Sequence, residues 1–97
     1  MARISDDRPP HFMSYVYVIK SLFDNKLYIG CTDDLRRRIA EHNSGQSKAT
    51  RDRGPFVLVY YEAFRSKSDA CKRELSIKQF KQGYTLLKKR IAESLKT

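Results

Sequence analysis

The sequence lacks the features that mark secreted and membrane proteins. It has two cysteines, Cys31 and Cys71, which form no CxxC pair and, with two histidines, no zinc-ligand set. We therefore expect two reduced, half-buried thiols. No apolar run approaches the roughly 20 residues that span a bilayer. Residues 1–13 carry charges and no apolar core typical of a secretory signal, so we expect a flexible lead-in there. These absences predict a cytoplasmic protein without membrane contact.

Acidic residues are in the minority. The 97 residues include 20 Lys and Arg against 11 Asp and Glu, for a net charge of +9. This excess predicts attraction to a polyanion, of which nucleic acid is the commonest and an anionic membrane surface the second. Repeats, low-complexity tracts and linkers are also missing. A chain of this length has room for one small domain, which we place at residues 14–97, and no separate recognition module.

Hydrophobic periodicity predicts an α+β fold. Alternation, turn residues and capping residues predict strands at 15–19, 27–32 and 56–61, and helices from 32–34 to 43, from 68–69 to 79–80, and from 85 onward. Gly83 is expected to break the last two helices apart, and Leu87, Ile91 and Leu95 to share one face of the third. Residues 46–55 are basic and polar and are interpreted as an exposed loop. The predicted fold is a small three-stranded antiparallel sheet flanked by about three helices.

Three features exceed what a structural domain requires. Gly30 closes the second strand, where glycine often marks the close approach of a backbone or ligand. Arg38 and His42 lie four apart on the first helix, so they project from one face and could share an anion such as phosphate, although a solvated helix face explains them too. Glu74 lies on the core-facing stripe of the second helix. A carboxylate there is costly unless it is paired, hydrogen-bonded or bound to a cation, and a salt bridge to Arg38 would satisfy it as well as a metal ion would.

Together these residues resemble a known family, the GIY-YIG nucleases. The tripeptide Tyr15-Val16-Tyr17 is similar to the first motif and Tyr28-Ile29-Gly30 matches the second. The resemblance runs from about Tyr15 to about Leu87 and is nearest to the small, stand-alone, single-domain branch, which is similar to the excinuclease catalytic domain. Two positions depart from the pattern. Tyr15 replaces a glycine, and no asparagine follows Asn43 where many members have one that supports the site, so Glu74 must be supported differently.

The resemblance implies a metal-dependent endonuclease that acts on DNA. Glu74 would hold one divalent ion, Mg²⁺ or alternatively Mn²⁺, and Arg38 would clamp the phosphate. The base that activates water is either Tyr17 or Tyr28, as a phenolate favoured by nearby positive charge, or His42. We favour a tyrosine, with His42 in support.

The expected nucleic-acid contacts involve the backbone of the substrate. The loop cations Lys48, Arg51 and Arg53 would contact phosphates without reading bases, with Gly30 at the close approach. We therefore expect a structure-selective or weakly specific enzyme, acting in DNA repair or recombination, with RNA left open as a substrate. Delivery by a protein partner and a monomer or weak dimer are further expectations.

Two other functions compete with the nuclease. The first is a binding module that keeps the fold and the basic face but has weak or no catalysis, and it predicts metal-independent binding that falls steeply with salt. The second is a small protein-interaction domain, in which Glu74 is simply a core ion pair with Arg38.

Overall fold

The computed structural model describes residues 13–96, which form a three-stranded sheet with three α-helices. The elements are β1 (Ser14–Ser21), β2 (Leu27–Thr32), α1 (Leu35–Asn43), β3 (Phe56–Phe64), α2 (Lys67–Gln79), α3 (Lys81–Arg90) and a short 3-10 helix (Ser94–Lys96). The predicted α+β fold and the order of its elements are confirmed. Apart from residue 13, the expected N-terminal lead-in lies outside the described residues. In the part of the chain described, no helix is both long and apolar enough to cross a membrane.

The sheet is antiparallel, with β1 in the centre between β2 and β3. All eight residues of β1 are buried, as its unbroken run of β-branched and aromatic residues predicts. The turn to β2 contains Asn25 in a left-handed conformation (φ 62°), which asparagine tolerates better than most residues. The Ser21 hydroxyl accepts hydrogen bonds from the backbone N–H groups of Phe23 and Asp24 and fixes this turn.

Helices cover both faces of the sheet because alternate side chains of β1 point in opposite directions. Val16 and Val18 face α2 and α3, where they form a core with Ala70, Ile77, Leu87 and Ile91. Tyr17 and Ile19 face the other way and pack with Phe56, Leu35 and Ile39, the last two from α1. Tyr17 is therefore anchored in a hydrophobic cluster while its hydroxyl remains near the sheet edge formed by β2.

The division between α2 and α3 differs from the prediction. We expected Gly83 to break the helices, but it lies within α3, and the interruption is Phe80, whose backbone is extended (φ −111°, ψ 115°). A Cβ at Gly83 would lie 3.0 Å from the backbone oxygen of Ser76, so this glycine allows α2 and α3 to approach closely. Its role is packing between helices.

The helix ends also differ from the prediction. α2 begins at Lys67 because Ser66 caps it, accepting a hydrogen bond from the backbone N–H of Asp69 (3.2 Å). α3 ends at Arg90 and does not continue to Leu95, which lies in the short 3-10 helix. Leu95 still packs against the core, so the apolar spacing identified a buried face but not the helix end.

Candidate active site

A cavity of about 570 Å³ opens beside β2, with walls from β1, α1, the loop after α1, α2 and the start of α3. Six residues singled out from the sequence line it: Tyr17, Tyr28, Gly30, Arg38, His42 and Glu74. They come from four different elements, β1, β2, α1 and α2. The fold thus brings together side chains that lie up to 57 residues apart in the chain.

A chain of hydrogen bonds runs from the sheet through α1 into the following loop. The hydroxyl of Tyr17 lies 2.8 Å from Nε2 of His42, and Nδ1 of the same ring lies 2.7 Å from Oγ1 of Thr50. All three residues are buried. With Nδ1 protonated and donating to Thr50, Nε2 is left as an acceptor for the phenol of Tyr17. Thr50 therefore orients the imidazole that contacts Tyr17.

The pKa shifts favour the neutral forms of both rings. Burial raises the pKa of Tyr17 above its usual value, and the adjacent Arg38 guanidinium only partly opposes this. Burial also lowers the pKa of His42, and the positive charge of Arg38 lowers it further. At neutral pH the pair is a phenol beside a neutral imidazole. The positive charge of Arg38 alone therefore does not favour a phenolate at Tyr17.

Gly30 makes room for Tyr17. The two residues are directly opposite each other in the β1–β2 ladder. A Cβ on Gly30 would lie 2.8 Å from Cε1 of Tyr17 and closer still to Cζ and to the phenolic oxygen. The tyrosine ring thus lies over the bare backbone of β2. Gly30 lines the cavity, and its position next to Tyr17 gives a steric reason for glycine that needs no nucleic acid.

Arg38 faces the cavity but does not pair with Glu74. Its guanidinium donates to Oε1 of Glu41 (2.9 Å) and to Oγ of Ser47 (3.5 Å), and its side chain is 34% exposed. The hydrogen bond with Glu41 raises the pKa of Arg38, which keeps the guanidinium charged. The Arg38–Glu74 ion pair considered from the sequence is therefore not formed, and Arg38 retains donors for an anion.

Glu74 pairs with a cation from its own helix. Nζ of Lys78 donates to Oε2 of Glu74 at 2.6 Å, and the glutamate side chain is 19% exposed. The spacing of four residues, with Glu before Lys, could have revealed this pair from the sequence. Within residues 13–96, no group of three or more His, Cys, Asp or Glu side chains is placed to hold a metal ion. Any metal at Glu74 would have one protein carboxylate, with its other ligands from water or substrate.

The three loop cations have different surroundings. Lys48 and Arg51 are exposed, and Arg51 donates to the backbone oxygen of Gly45 (3.2 Å). Arg53 instead donates to the hydroxyl of Tyr28, and its guanidinium lies over that ring, 5.5 Å from the centroid. Lys48 and Arg51 thus remain available at the surface, whereas Arg53 orients Tyr28.

The loop after α1 is less exposed than expected, because Ser47 and Thr50 are buried. Asn43 anchors the far end of the loop to β3. Its side-chain oxygen accepts from the backbone N–H of Phe56 (2.7 Å), and its side-chain nitrogen donates to the backbone oxygen of Phe56 (3.2 Å). The loop therefore forms a fixed wall of the cavity, which the sequence did not indicate because its polar composition resembles that of a solvated segment.

Comparison with known proteins agrees with this arrangement. Residues 13–86 match the profile of the GIY-YIG catalytic domain. The chain belongs to the GIY-YIG family. The resemblance inferred from the two tyrosine motifs is thereby confirmed, and membership indicates a nuclease in general terms.

The relatives are small proteins. The chain is 52% identical over 67 residues to UPF0213 protein SH2523 of Staphylococcus haemolyticus, covering 68% of this chain and 80% of that protein. It is 50% identical over 68 residues to UPF0213 protein VNG_2274C of Halobacterium salinarum, covering 69% and 87%. The solution NMR structure of UPF0213 protein BH0048 from Bacillus halodurans superposes with a TM-score of 0.54 at 36% identity, covering 88% of this chain and 94% of that one. These names state no substrate.

Proposed function

We propose that the protein is a divalent-metal-dependent endonuclease that hydrolyses phosphodiester bonds in DNA. The observation that carries this proposal is the convergence of Tyr17, Arg38, His42 and Glu74 on one cavity of a GIY-YIG domain. A phosphate-binding cation, a carboxylate and a hydrogen-bonded proton acceptor are the groups that in-line attack of water on a phosphodiester requires.

The carboxylate of Glu74 fits a divalent ion. It already binds one cation, since the ammonium of Lys78 lies 2.6 Å from Oε2. A single carboxylate completed by water and a substrate phosphate suits Mg²⁺, or Mn²⁺ in its place. When bound, the ion would act as a Lewis acid and stabilise the leaving oxygen. Lys78 must then leave Glu74, which frees its ammonium to contact the substrate phosphate.

Tyr17 and His42 together provide a base that needs no free phenolate. The phenolic oxygen accepts a proton from water while its own proton passes to Nε2 of His42, 2.8 Å away. The lowered pKa of His42 favours the neutral imidazole before reaction. The hydrogen bond between Nδ1 and Thr50 orients the ring so that Nε2 faces the hydroxyl of Tyr17. Arg38 directs its planar fork at the phosphate and balances the charge that grows on it.

The charge distribution around the cavity suits a nucleic-acid backbone. Lys78 and Lys81 line the cavity, and the exposed Lys48 lies in the loop after α1, between the lining residues Ser47 and Ala49. Such contacts position the backbone without reading bases, so recognition depends on DNA structure more than on sequence. RNA cleavage, a role in repair, a cytoplasmic location and a delivering partner remain predictions.

A binding module without catalysis is the second candidate function. It is favoured by the Lys78–Glu74 ion pair, which neutralises the carboxylate without a metal. In that case the cations around the cavity bind DNA or RNA, and the binding falls steeply with salt and is indifferent to chelators.

Nicking of supercoiled plasmid and of branched oligonucleotides in Mg²⁺, Mn²⁺ or EDTA separates the two functions. Glu74→Gln is the test variant, and Glu93→Gln is the matched control because Glu93 is exposed and pairs with Lys96 at the surface. We expect wild type and the control to cut only with metal. The test variant should bind DNA but cut about 100-fold more slowly or worse, as on removal of other groups that stabilise transition-state charge. Equal binding and no cutting by all three proteins would establish the binding module.

A further inference from the structure

The fold brings the two cysteines together beside the candidate active site. Cys31 of β2 and Cys71 of α2 are 40 residues apart in the chain, yet their sulfur atoms lie 3.7 Å apart. Both are half-buried and neither is in a disulfide. A second cavity, of about 550 Å³, is lined by both thiols and by Glu74, so a small reagent can reach them. The sequence predicted two isolated thiols, because spacing along the chain says nothing about contact between a strand and a later helix.

We infer that Cys31 and Cys71 form a reversible disulfide when the protein meets a hydroperoxide, and that this bond between β2 and α2 slows phosphodiester cleavage. The bond itself depends only on the two thiols. Its effect on cleavage rests on the proposed nuclease function.

The geometry requires a small movement. The sulfur atoms of a disulfide are about 2.05 Å apart, so those of Cys31 and Cys71 must approach by roughly 1.7 Å from their present 3.7 Å. Side-chain rotation and a slight shift of α2 toward β2 supply this. Buried Ala70 and Ile77 both hold α2 on the core, so the shift of Cys71 and Glu74, which lie between them, is small.

The chemistry balances with one equivalent of hydrogen peroxide. One cysteine loses its proton, and the thiolate attacks one oxygen of the peroxide. The O–O bond breaks, the cysteine becomes a sulfenic acid, and the departing hydroxide takes up the released proton to give the first water. The sulfur of the other cysteine then attacks the sulfenic sulfur, forming the S–S bond and releasing the second water. Two thiols and one peroxide thus give one disulfide and two waters. Burial and the neighbouring Cys71 raise the pKa of Cys31 to about 11, so little of this thiol is ionised at neutral pH and the pair is oxidised slowly at low peroxide concentration.

The position of the pair links the bond to the site. Cys31 directly follows Gly30, over which the Tyr17 ring lies, and Cys71 precedes Glu74 by one helical turn. Drawing the two backbones together changes the placement of the Glu74 carboxylate relative to Tyr17. A misplacement of about 1 Å can slow catalysis on the order of 100-fold. The disulfide therefore lowers the cleavage rate without removing any catalytic group.

The first test measures the bond directly. Wild type and Cys71→Ser are treated with hydrogen peroxide, denatured and alkylated, and their masses are measured by mass spectrometry. We expect wild type to lose two hydrogens and to resist alkylation at both cysteines until dithiothreitol is added, whereas Cys71→Ser, which lacks the second thiol, loses no hydrogens. Two alkylatable cysteines in treated wild type, or added oxygen without a disulfide, would overturn the inference.

The second test measures plasmid nicking by the same samples. Oxidised wild type should nick about 10-fold more slowly than reduced wild type, or worse, and dithiothreitol should restore the rate. Cys71→Ser should match reduced wild type before and after peroxide. An unchanged rate in the oxidised protein, or an equal loss in Cys71→Ser, overturns the effect on cleavage. If the reduced wild-type protein does not nick DNA, the proposed function is overturned, and the proposed effect of the disulfide on cleavage is overturned with it. Whether the disulfide forms is decided by the mass measurement alone.

Discussion

Gly30→Ala tests the steric relation between the two tyrosine motifs. The added Cβ would lie 2.8 Å from Cε1 of Tyr17 and closer still to its phenolic oxygen. The ring has little freedom to move away, because Tyr17 is only 2% exposed and packs among Ile19, Phe56 and His42. Either the ring or the β2 backbone must shift.

The expected cost combines two effects. Overpacking a well-filled site costs about 1–3 kcal/mol. Displacing the Tyr17 hydroxyl also disrupts its hydrogen bond with His42, which contributes about 0.5–1.5 kcal/mol. The free energy of unfolding should therefore fall by roughly 2–4 kcal/mol. Since each kcal/mol shifts Tm by about 4–8 °C in a domain of this size, we expect Tm to fall by at least about 8 °C.

A double-mutant cycle isolates the contact. Urea unfolding is measured for wild type, Gly30→Ala, Tyr17→Leu and the double variant. Because leucine lacks the ring atoms that meet the new Cβ, Gly30→Ala should cost less than about 0.5 kcal/mol in the Tyr17→Leu background. The same cost of Gly30→Ala in both backgrounds would refute the steric explanation.

Three further predictions concern His42, Asn43, and the exposed cations Lys48 and Arg51. Burial lowers the pKa of His42 in the folded state. The contribution of neutral His42 to the free energy of unfolding is therefore complete above pH about 6.5 and is lost as pH falls toward the folded pKa. Between pH 7 and pH 5, the free energy of unfolding measured in urea should fall less in His42→Gln than in wild type. An equal fall in both proteins would contradict the lowered pKa of His42. Asn43→Ala removes two hydrogen bonds to Phe56 and should cost about 1–2 kcal/mol and slow nicking, whereas an unaltered urea midpoint would show that the loop is held otherwise. Replacing Lys48 and Arg51 by Gln should weaken DNA binding and reduce the slope of log K against log salt by about 2, and an unchanged slope would place the DNA elsewhere.

The sequence predicted the fold well because its signals are local. The apolar run of β1 and the spacing of Leu35 and Ile39 identify faces that tertiary packing then buries. The predicted positions of the helix ends were less accurate. Gly83 signals a break by its intrinsic propensity, but the close approach of α2 makes glycine favourable within α3.

Six of the residues that line the cavity were also named from the sequence, through the two tyrosine motifs and the helical positions of Arg38, His42 and Glu74. Their mutual contacts were not. Thr50 reaches His42 from a loop, and Arg53 reaches Tyr28 across 25 residues. Such contacts depend on how a loop folds back on the sheet, which leaves no periodic pattern in the sequence.

The most direct test of whether this cavity is one catalytic site is the single-turnover rate of plasmid nicking in Mg²⁺. The rate is compared among wild type, Tyr17→Phe, Glu74→Gln and the double variant. Removing a group that takes part in one chemical step should slow nicking about 100-fold or more. Groups that act as a unit are not additive, so the double variant should be no slower than the slower single variant. A wild-type rate in either single variant, or rate losses that multiply in the double variant, would contradict a shared site.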